Sequence, residues 1–160
     1  MLFCYLNKIL KLNTKKIILF ASGSGSNVEK ICDFFKKDKN ISVELLVCNN
    51  PKALVLKKAK MLNLKSITID KESFYKSSSV ISKILTIKPD LIVLAGFIWK
   101  IPSNLIKAFP NKIINIHPAL LPKYGGKGMF GMHVHSSVIE NKETKSGITI
   151  HYVNEKYDDG

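Results

Sequence analysis

Lys16-Ile17-Ile18-Leu19-Phe20-Ala21-Ser22-Gly23-Ser24-Gly25-Ser26-Asn27-Val28 is the stretch that decides the fold. Its apolar opening reads as a strand buried on both faces. A Gly/Ser turn follows, and beyond it Val28, Ile31, Cys32 and Phe35 recur at i, i+3, i+4 and i+7, the buried stripe of a helix. The alternation continues outward. Val43–Cys48 reads as a second strand closed by Asn49-Asn50-Pro51. Val55, Ala59 and Leu62 stripe a second helix, and Ser66–Ile69 is a brief third strand. Phe74, Ile81, Ile84 and Leu85 mark a third helix, stopped by Lys88-Pro89-Asp90. Leu91–Ala95 is a buried strand with Gly96 after it; a short helix near Pro102–Phe109 leads to a strand at Lys112–Ile116. Strands alternating with helices predict right-handed crossovers, hence the α/β class with a doubly wound, mostly parallel sheet. From Pro118 to Met132 the pattern breaks into a Gly/Pro-rich loop, expected at the sheet edge and functional or mobile. A short helix near Val134–Glu140 and a strand at Ile148–Val153 complete the reading.

The chain has 160 residues, enough for one domain with a sizeable core and too few for two ordinary ones. With 46% hydrophobic and 23% charged residues, wholesale disorder is excluded. No apolar run approaches the ~20 residues of a membrane span, and the opening Met1–Leu6 is interrupted by Asn7 and Lys8 with no small-residue cleavage site after it, so no signal peptide is expected. Cys4, Cys32 and Cys48 show no zinc or disulfide spacing. A cytoplasmic protein is expected. The net charge of +13 raises a nucleic-acid surface, but all 25 basic residues are lysine and they are scattered. Readers of phosphates and base edges favour the bidentate guanidinium fork. No nucleic-acid partner is therefore expected; the positive field suits anionic small substrates.

Two stretches carry chemistry. Ser22–Asn27 links the first strand to the first helix, where glycines let a backbone approach a phosphate and a helix N-terminus supplies N–H donors. A dinucleotide site would need a small residue where Val28 stands and an acid near Asn49-Asn50, so a single phosphate fits better than NAD. The same stretch also reads as a plain strand–helix turn with Ser26 or Asn27 as N-cap. Asn115 and His117 lie two apart at the carboxyl end of a strand, so both side chains point to one side, at the end where open α/β sheets bind ligands. Asn offers a donor to a developing oxyanion, and His a titrating donor and proton shuttle. A strand-end His also reads as structural. No Ser, Cys or Lys stands there as a nucleophile, which favours direct attack by a bound substrate. His133 and His135 with His117 lack a metal-ligand spacing, so no metal is expected.

Ala21–Asn27, Leu94-Ala95-Gly96-Phe97 and Asn115–Pro122, in this order and spacing, resemble phosphoribosylglycinamide formyltransferases, the folate-dependent enzymes of purine synthesis. The resemblance runs from about Lys15 to Gly160 and implies a formyltransferase domain of Rossmann-like type over 15–160, with 1–14 as an N-terminal extension. It implies that Asn115 and His117 are catalytic. It also implies that the catalytic Asp, in the loop after His151-Tyr152-Val153, is Asp158, with Asp159 where the family commonly has Gly. By the same resemblance Gly25, Ser26 and Asn27 hold the phosphate of glycinamide ribonucleotide, and Ile98, Trp99, Lys100, Ile101 and Asn115 line the pocket of 10-formyltetrahydrofolate. Many members place a folate-contacting Arg near the third helix, where Lys71 is the nearest candidate.

The expected partners are thus small molecules, the nucleotide amine and the formyl folate as co-substrate, with no membrane partner and an open oligomeric state. Asp158 is expected to favour the charged form of His117 and to help relay the amine's proton. Family members continue beyond the equivalent of Gly160, so the domain is expected to be incomplete at its C-terminus and this form less active. The alternatives are methionyl-tRNA formyltransferase, formyltetrahydrofolate deformylase, or a chain that binds ligand without turnover.

Overall fold

The computed structural model describes residues 14–159. The expected extension, save Thr14, and with it Cys4, lies outside them, as does Gly160. In chain order the elements are β1 (Lys15–Ala21), α1 (Ser26–Phe35), β2 (Ile41–Cys48), α2 (Leu54–Met61), β3 (Ser66–Thr68), α3 (Lys71–Tyr75), α4 (Ser79–Ile87), β4 (Leu91–Leu94), α5 (Ser103–Ala108), β5 (Ile113–His117), α6 (Met132–Glu140) and β6 (Thr149–Tyr152).

Because β1 is apolar at every inner position, its period of two feeds two cores at once. Ile18 and Phe20 join Phe74, Ile84 and Leu105 on the face covered by α3, α4 and α5. Ile17, Leu19 and Ala21 join Val28, Val55 and Ala59 on the face covered by α1 and α2. The sheet order is β3-β2-β1-β4-β5-β6. All neighbours are parallel except β5 and β6, which pair antiparallel. This is the doubly wound, mostly parallel α/β sheet. At its central end, Asp90 accepts from Lys15 Nζ (2.9 Å) and from the Lys16 N–H (3.0 Å), tying the start of β4 to that of β1. The hydrogen bond from Lys15 holds the Asp90 carboxyl below its ordinary range.

Three expectations are corrected. The third helix is two helices. Asp70 caps α3 by accepting from the Ser73 N–H (2.7 Å), and Ser73 Oγ accepts from the Asp70 N–H (3.2 Å). The serine run then breaks the chain, and the Ser77 hydroxyl accepts from the Ser79 N–H (3.0 Å) where α4 starts. Restarting the helix rotates its face: Val80 and Ile84 are buried, while Leu85, expected in the stripe, is 48% exposed. The strand read at Lys112–Ile116 is Ile113–His117, one residue later at each end, and it carries His117 at its carboxyl end as expected. The last strand is the antiparallel edge Thr149–Tyr152, flanked by Ile148 and Val153 rather than including them.

The Gly/Pro loop is anchored at two points, while Leu120 and Phe130 stay exposed. Ala119 and Tyr124 are buried with Val134 and Val138 of α6. The Tyr124 hydroxyl donates to Glu143 Oε1 (2.7 Å) and Lys123 pairs with the same carboxylate. The Lys123 hydrogen bond, followed by that of Tyr124, holds the Glu143 carboxyl below its ordinary range.

The helix break predicts unequal costs for neighbouring leucine-sized side chains. Ile84→Ala should lower the unfolding free energy by about 2–5 kcal/mol, and Leu85→Ala by less than about 1 kcal/mol, read by urea denaturation. Equal losses would restore a single stripe.

Candidate active site

Between β1 and β4 the strand order reverses, so the chain leaves the two strands toward opposite faces and opens a crevice at their carboxyl ends. Ser22 bridges it: its N–H donates to the Gly96 carbonyl (3.0 Å), and its hydroxyl accepts from the Ile98 N–H (3.0 Å). A cavity of 670 Å³ opens there, lined by residues 22–27, 94–101, 115–118 and 126–131, by His135 and His151, and by residues from Val153 to Asp158.

The first wall is the start of α1. Its N-cap is Gly25, in the left-handed region at φ +72°, with Ser26 and Asn27 already helical. That corrects the expectation that one of them caps. No side chain caps this end, so its first N–H groups and the positive end of the helix dipole are available to an anion. A Cβ on Gly25 would stand 2.3 Å from Val55 Cγ2 and 3.0 Å from Val55 Cα, so α2 as well as the turn demands glycine. Val28, at the place of a third fingerprint glycine, is fully buried in the core.

The second wall is the end of β5. Asn115 and His117 project to one side, and Asp158 meets them from the loop after β6, with φ +50°. Asn115 Nδ2 donates to Asp158 Oδ1 (3.3 Å) and faces His151 Nε2 at 3.2 Å. His117 Nδ1 is 3.7 Å from Asp158 Oδ1, an ion-pair distance rather than a hydrogen bond. The Tyr124 carbonyl lies 2.6 Å from His117 Nε2 and can only accept, so the proton sits on Nε2. Asp158 Oδ2 accepts from the Gly126 N–H (2.8 Å). These side chains are desolvated, with His117 3% and Asp158 12% exposed. Asp159 points elsewhere: its carboxylate accepts from Asn154 Nδ2 (3.2 Å) and pairs with Lys156 (3.6 Å). The positive φ falls on Asp158, so Asp159 needs no glycine conformation.

The third wall is Ile98–Ile101. Trp99 lies against Phe74, Tyr75 and Phe97, with ring centroids 5.9, 6.0 and 6.2 Å away. The Tyr75 hydroxyl donates to the Lys100 carbonyl (3.0 Å), and burial pushes that hydroxyl's pKa up. Lys100 Nζ sits 5.2 Å from the Tyr157 ring centroid. Lys127 and Lys156 also line the cavity.

The structure therefore brings together Gly25, Ser26, Asn27, Ile98, Trp99, Lys100, Ile101, Asn115, His117 and Asp158. It does not bring Lys71, which opens α3 and is not among the lining residues. Sequence reasoning missed His151 and the Tyr124 carbonyl. The available signal for His151 was a polar residue in the alternation of the last strand; its partner was hidden until β6 paired antiparallel and set His151 opposite Asn115. His133 meets Phe130 edge to face, with ring centroids 6.0 Å apart, and no metal-holding group of three His, Cys, Asp or Glu occurs among the described residues. Nor is any described helix long and apolar enough to cross a membrane.

Residues 15–160 match the formyl transferase family. The chain is 39% identical to a chloroplastic phosphoribosylglycinamide formyltransferase of Arabidopsis thaliana over 91% of its length and 52% of the relative's. It is 36% identical to the phosphoribosylglycinamide formyltransferase of Bacillus subtilis, covering 91% of this chain and 75% of that one. The crystal structure of the Bacillus halodurans phosphoribosylglycinamide formyltransferase superposes with a TM-score of 0.79 at 32% identity, over 91% of this chain and 75% of that one. The chain spans about half the length of the plant relatives it matches.

The glycines of the first wall separate packing from ligand approach. Gly25→Ala should lower stability measurably, because its Cβ meets α2 backbone. Gly23→Ala, with open space around its Cβ, should leave stability within about 1 kcal/mol. Thermal unfolding of the two variants decides it; an undisturbed Gly25→Ala would contradict the close approach.

Proposed function

We propose, for a chain that belongs to the formyl transferase family, the transfer of a formyl group from 10-formyltetrahydrofolate to the amine of 5'-phosphoribosylglycinamide, a step of purine synthesis. The observation that carries this reading is the meeting of Asn115, His117 and Asp158 in one cavity with an uncapped helix N-terminus. The first suits acyl transfer and the second a phosphate monoester.

In this reading Gly25, Ser26 and Asn27 hold the nucleotide's phosphate through backbone N–H groups and the dipole of α1. The folate lies along Ile98, Trp99, Lys100 and Ile101. Its glutamate carboxylates need a cation, and the chain has no arginine. Lys100 lines the cavity and Lys71 does not, so Lys100 takes the role the sequence offered to Lys71.

The amine attacks the formyl carbon, forming a new N–C bond and leaving the carbonyl electron pair on oxygen. Asn115 and His117 donate to that oxygen; the His117 Nε2–H, given to the Tyr124 carbonyl without substrate, is handed to it. Collapse of the tetrahedral intermediate restores the carbonyl and breaks the bond to folate N10, which takes a proton. The proton lost by the amine passes by way of Asp158, directly or through water. Each donor exchanges a partner within the protein, the Tyr124 carbonyl or Asp158, for the developing oxyanion.

Formyl transfer to the nucleotide amine, compared with initiator tRNA and with water as acceptors, tests the reading; transfer to tRNA or water alone would overturn it. Asn115→Ala or His117→Ala should lower kcat by about 10²–10³ while leaving KM for both substrates nearly unchanged, and Asp158→Asn should also lower kcat. Gly23→Val should raise KM for the nucleotide more than for the folate, and Lys100→Ala should do the reverse. Equal effects of either variant on both substrates would refute the two subsites.

A further inference from the structure

We propose that His151 is a positioning residue that fixes the Asn115 amide and keeps hold of one of its N–H groups while the other turns to the reacting oxygen. This rests on the reading of Asn115 as an oxyanion donor.

A carboxylate oxygen can only accept, so the face of Asn115 turned to Asp158 Oδ1 must be its NH₂ group. The same nitrogen faces His151 Nε2 at 3.2 Å. His151 Nδ1 lies 2.9 Å from the Tyr152 carbonyl, which also only accepts, so Nδ1 carries the proton and neutral His151 presents a lone pair at Nε2. Both hydrogens of Asn115 are thus engaged. A developing oxyanion can receive one only if a partner gives it up.

The two partners are unequal. Asp158 retains the Gly126 N–H on Oδ2 (2.8 Å) when Asn115 leaves it, and its side chain, 12% exposed, is the more open to water of the two. His151 Nε2 has Asn115 as its hydrogen-bond donor, and the side chain is only 6% exposed, so losing that donor leaves a buried acceptor unpaired. An unpaired buried acceptor costs more than a net hydrogen bond contributes. The Asp158 bond therefore yields, the His151 bond persists, and the amide cannot rotate its oxygen toward the oxyanion. The antiparallel pairing that sets residue 151 opposite residue 115 makes this contact a cross-strand one, independent of the loops.

Two measurements test this without relying on turnover. Long-range ¹⁵N–¹H spectra at alkaline pH should show His151 protonated at Nδ1 and bare at Nε2; the opposite tautomer overturns the proposal. The Asn115 side-chain NH₂ resonances, assigned by their loss in Asn115→Ala, should shift in His151→Leu. They should stay nearly in place in His151→Gln, whose amide oxygen can accept in place of Nε2. Unmoved resonances in a folded His151→Leu overturn it, and if that variant fails to fold, loss of the Asn115 signal shape in His151→Gln does so. In the formyl-transfer assay His151→Leu should lower kcat by about 10-fold to 100-fold with KM held, the scale of one lost buried hydrogen-bond partner, His151→Gln should recover most of it, and His151→Leu should have no further effect on Asn115→Ala. An additive effect there overturns the proposal. If the spectra behave as stated and the parent chain transfers no formyl group to the nucleotide, the functional reading fails and the positioning role stands.

Discussion

The buried hydroxyl of Ser22 sets the geometry on which the site depends. Its residue accepts and donates across the gap where the chain leaves β1 for one face of the sheet and β4 for the other. Apolar strands alone would specify the sheet, but not how far the Gly23–Asn27 turn stands from the Gly96–Ile101 segment. A serine at that point supplies both a backbone donor and a side-chain acceptor, and so fixes two loops with one residue. The buried groups are mutually satisfied, which is why so polar a junction sits at the end of an apolar sheet without penalty.

The chemistry hangs on a second node, the Asp158 carboxylate. It joins a strand interior (Asn115, His117), an edge strand (His151) and the glycine loop (Gly126) through two oxygens. Asp158 reaches it in a left-handed backbone conformation that Asp tolerates better than most residues. Gly125 fits the same logic: a Cβ there would lie 3.1 Å from Asp158 Cβ and 2.6 Å from Leu121, so the loop closes over the carboxylate only because glycine leaves room.

How much of this was legible in the sequence follows from the range of each interaction. β1, β2 and β4 were readable because burial on both faces leaves runs no exposed element resembles. The third helix was misread because Phe74 and Ile81 keep a helical spacing across a break; the Asp70–Ser73 reciprocal cap and the serines at 77–79 marked it, but a stripe of apolar residues outweighed them. Asn115 and His117 were legible as a local pair on one strand. Asp158 needed a family resemblance, because 41 residues or more separate it from them in the chain. Lys71 and Lys100 show the limit from the other side: both are lysines near aromatic residues, and only the fold, which sets Lys100 on the cavity beside Tyr157 and leaves Lys71 off it, distinguishes them.

The cations that line the cavity, Lys100, Lys127 and Lys156, are ammonium groups in a protein without a single guanidinium. An ammonium holds an anion as a point charge, without the planar two-pronged match that fixes the angle of a carboxylate or phosphate. Orientation of the substrates must then come from shape and backbone donors, while the lysines supply attraction that depends on distance alone. Such attraction is felt over roughly a Debye length, about 8 Å at physiological ionic strength. The grip on anions is therefore a property of the solution as much as of the protein, and it loosens as added electrolyte shortens that length.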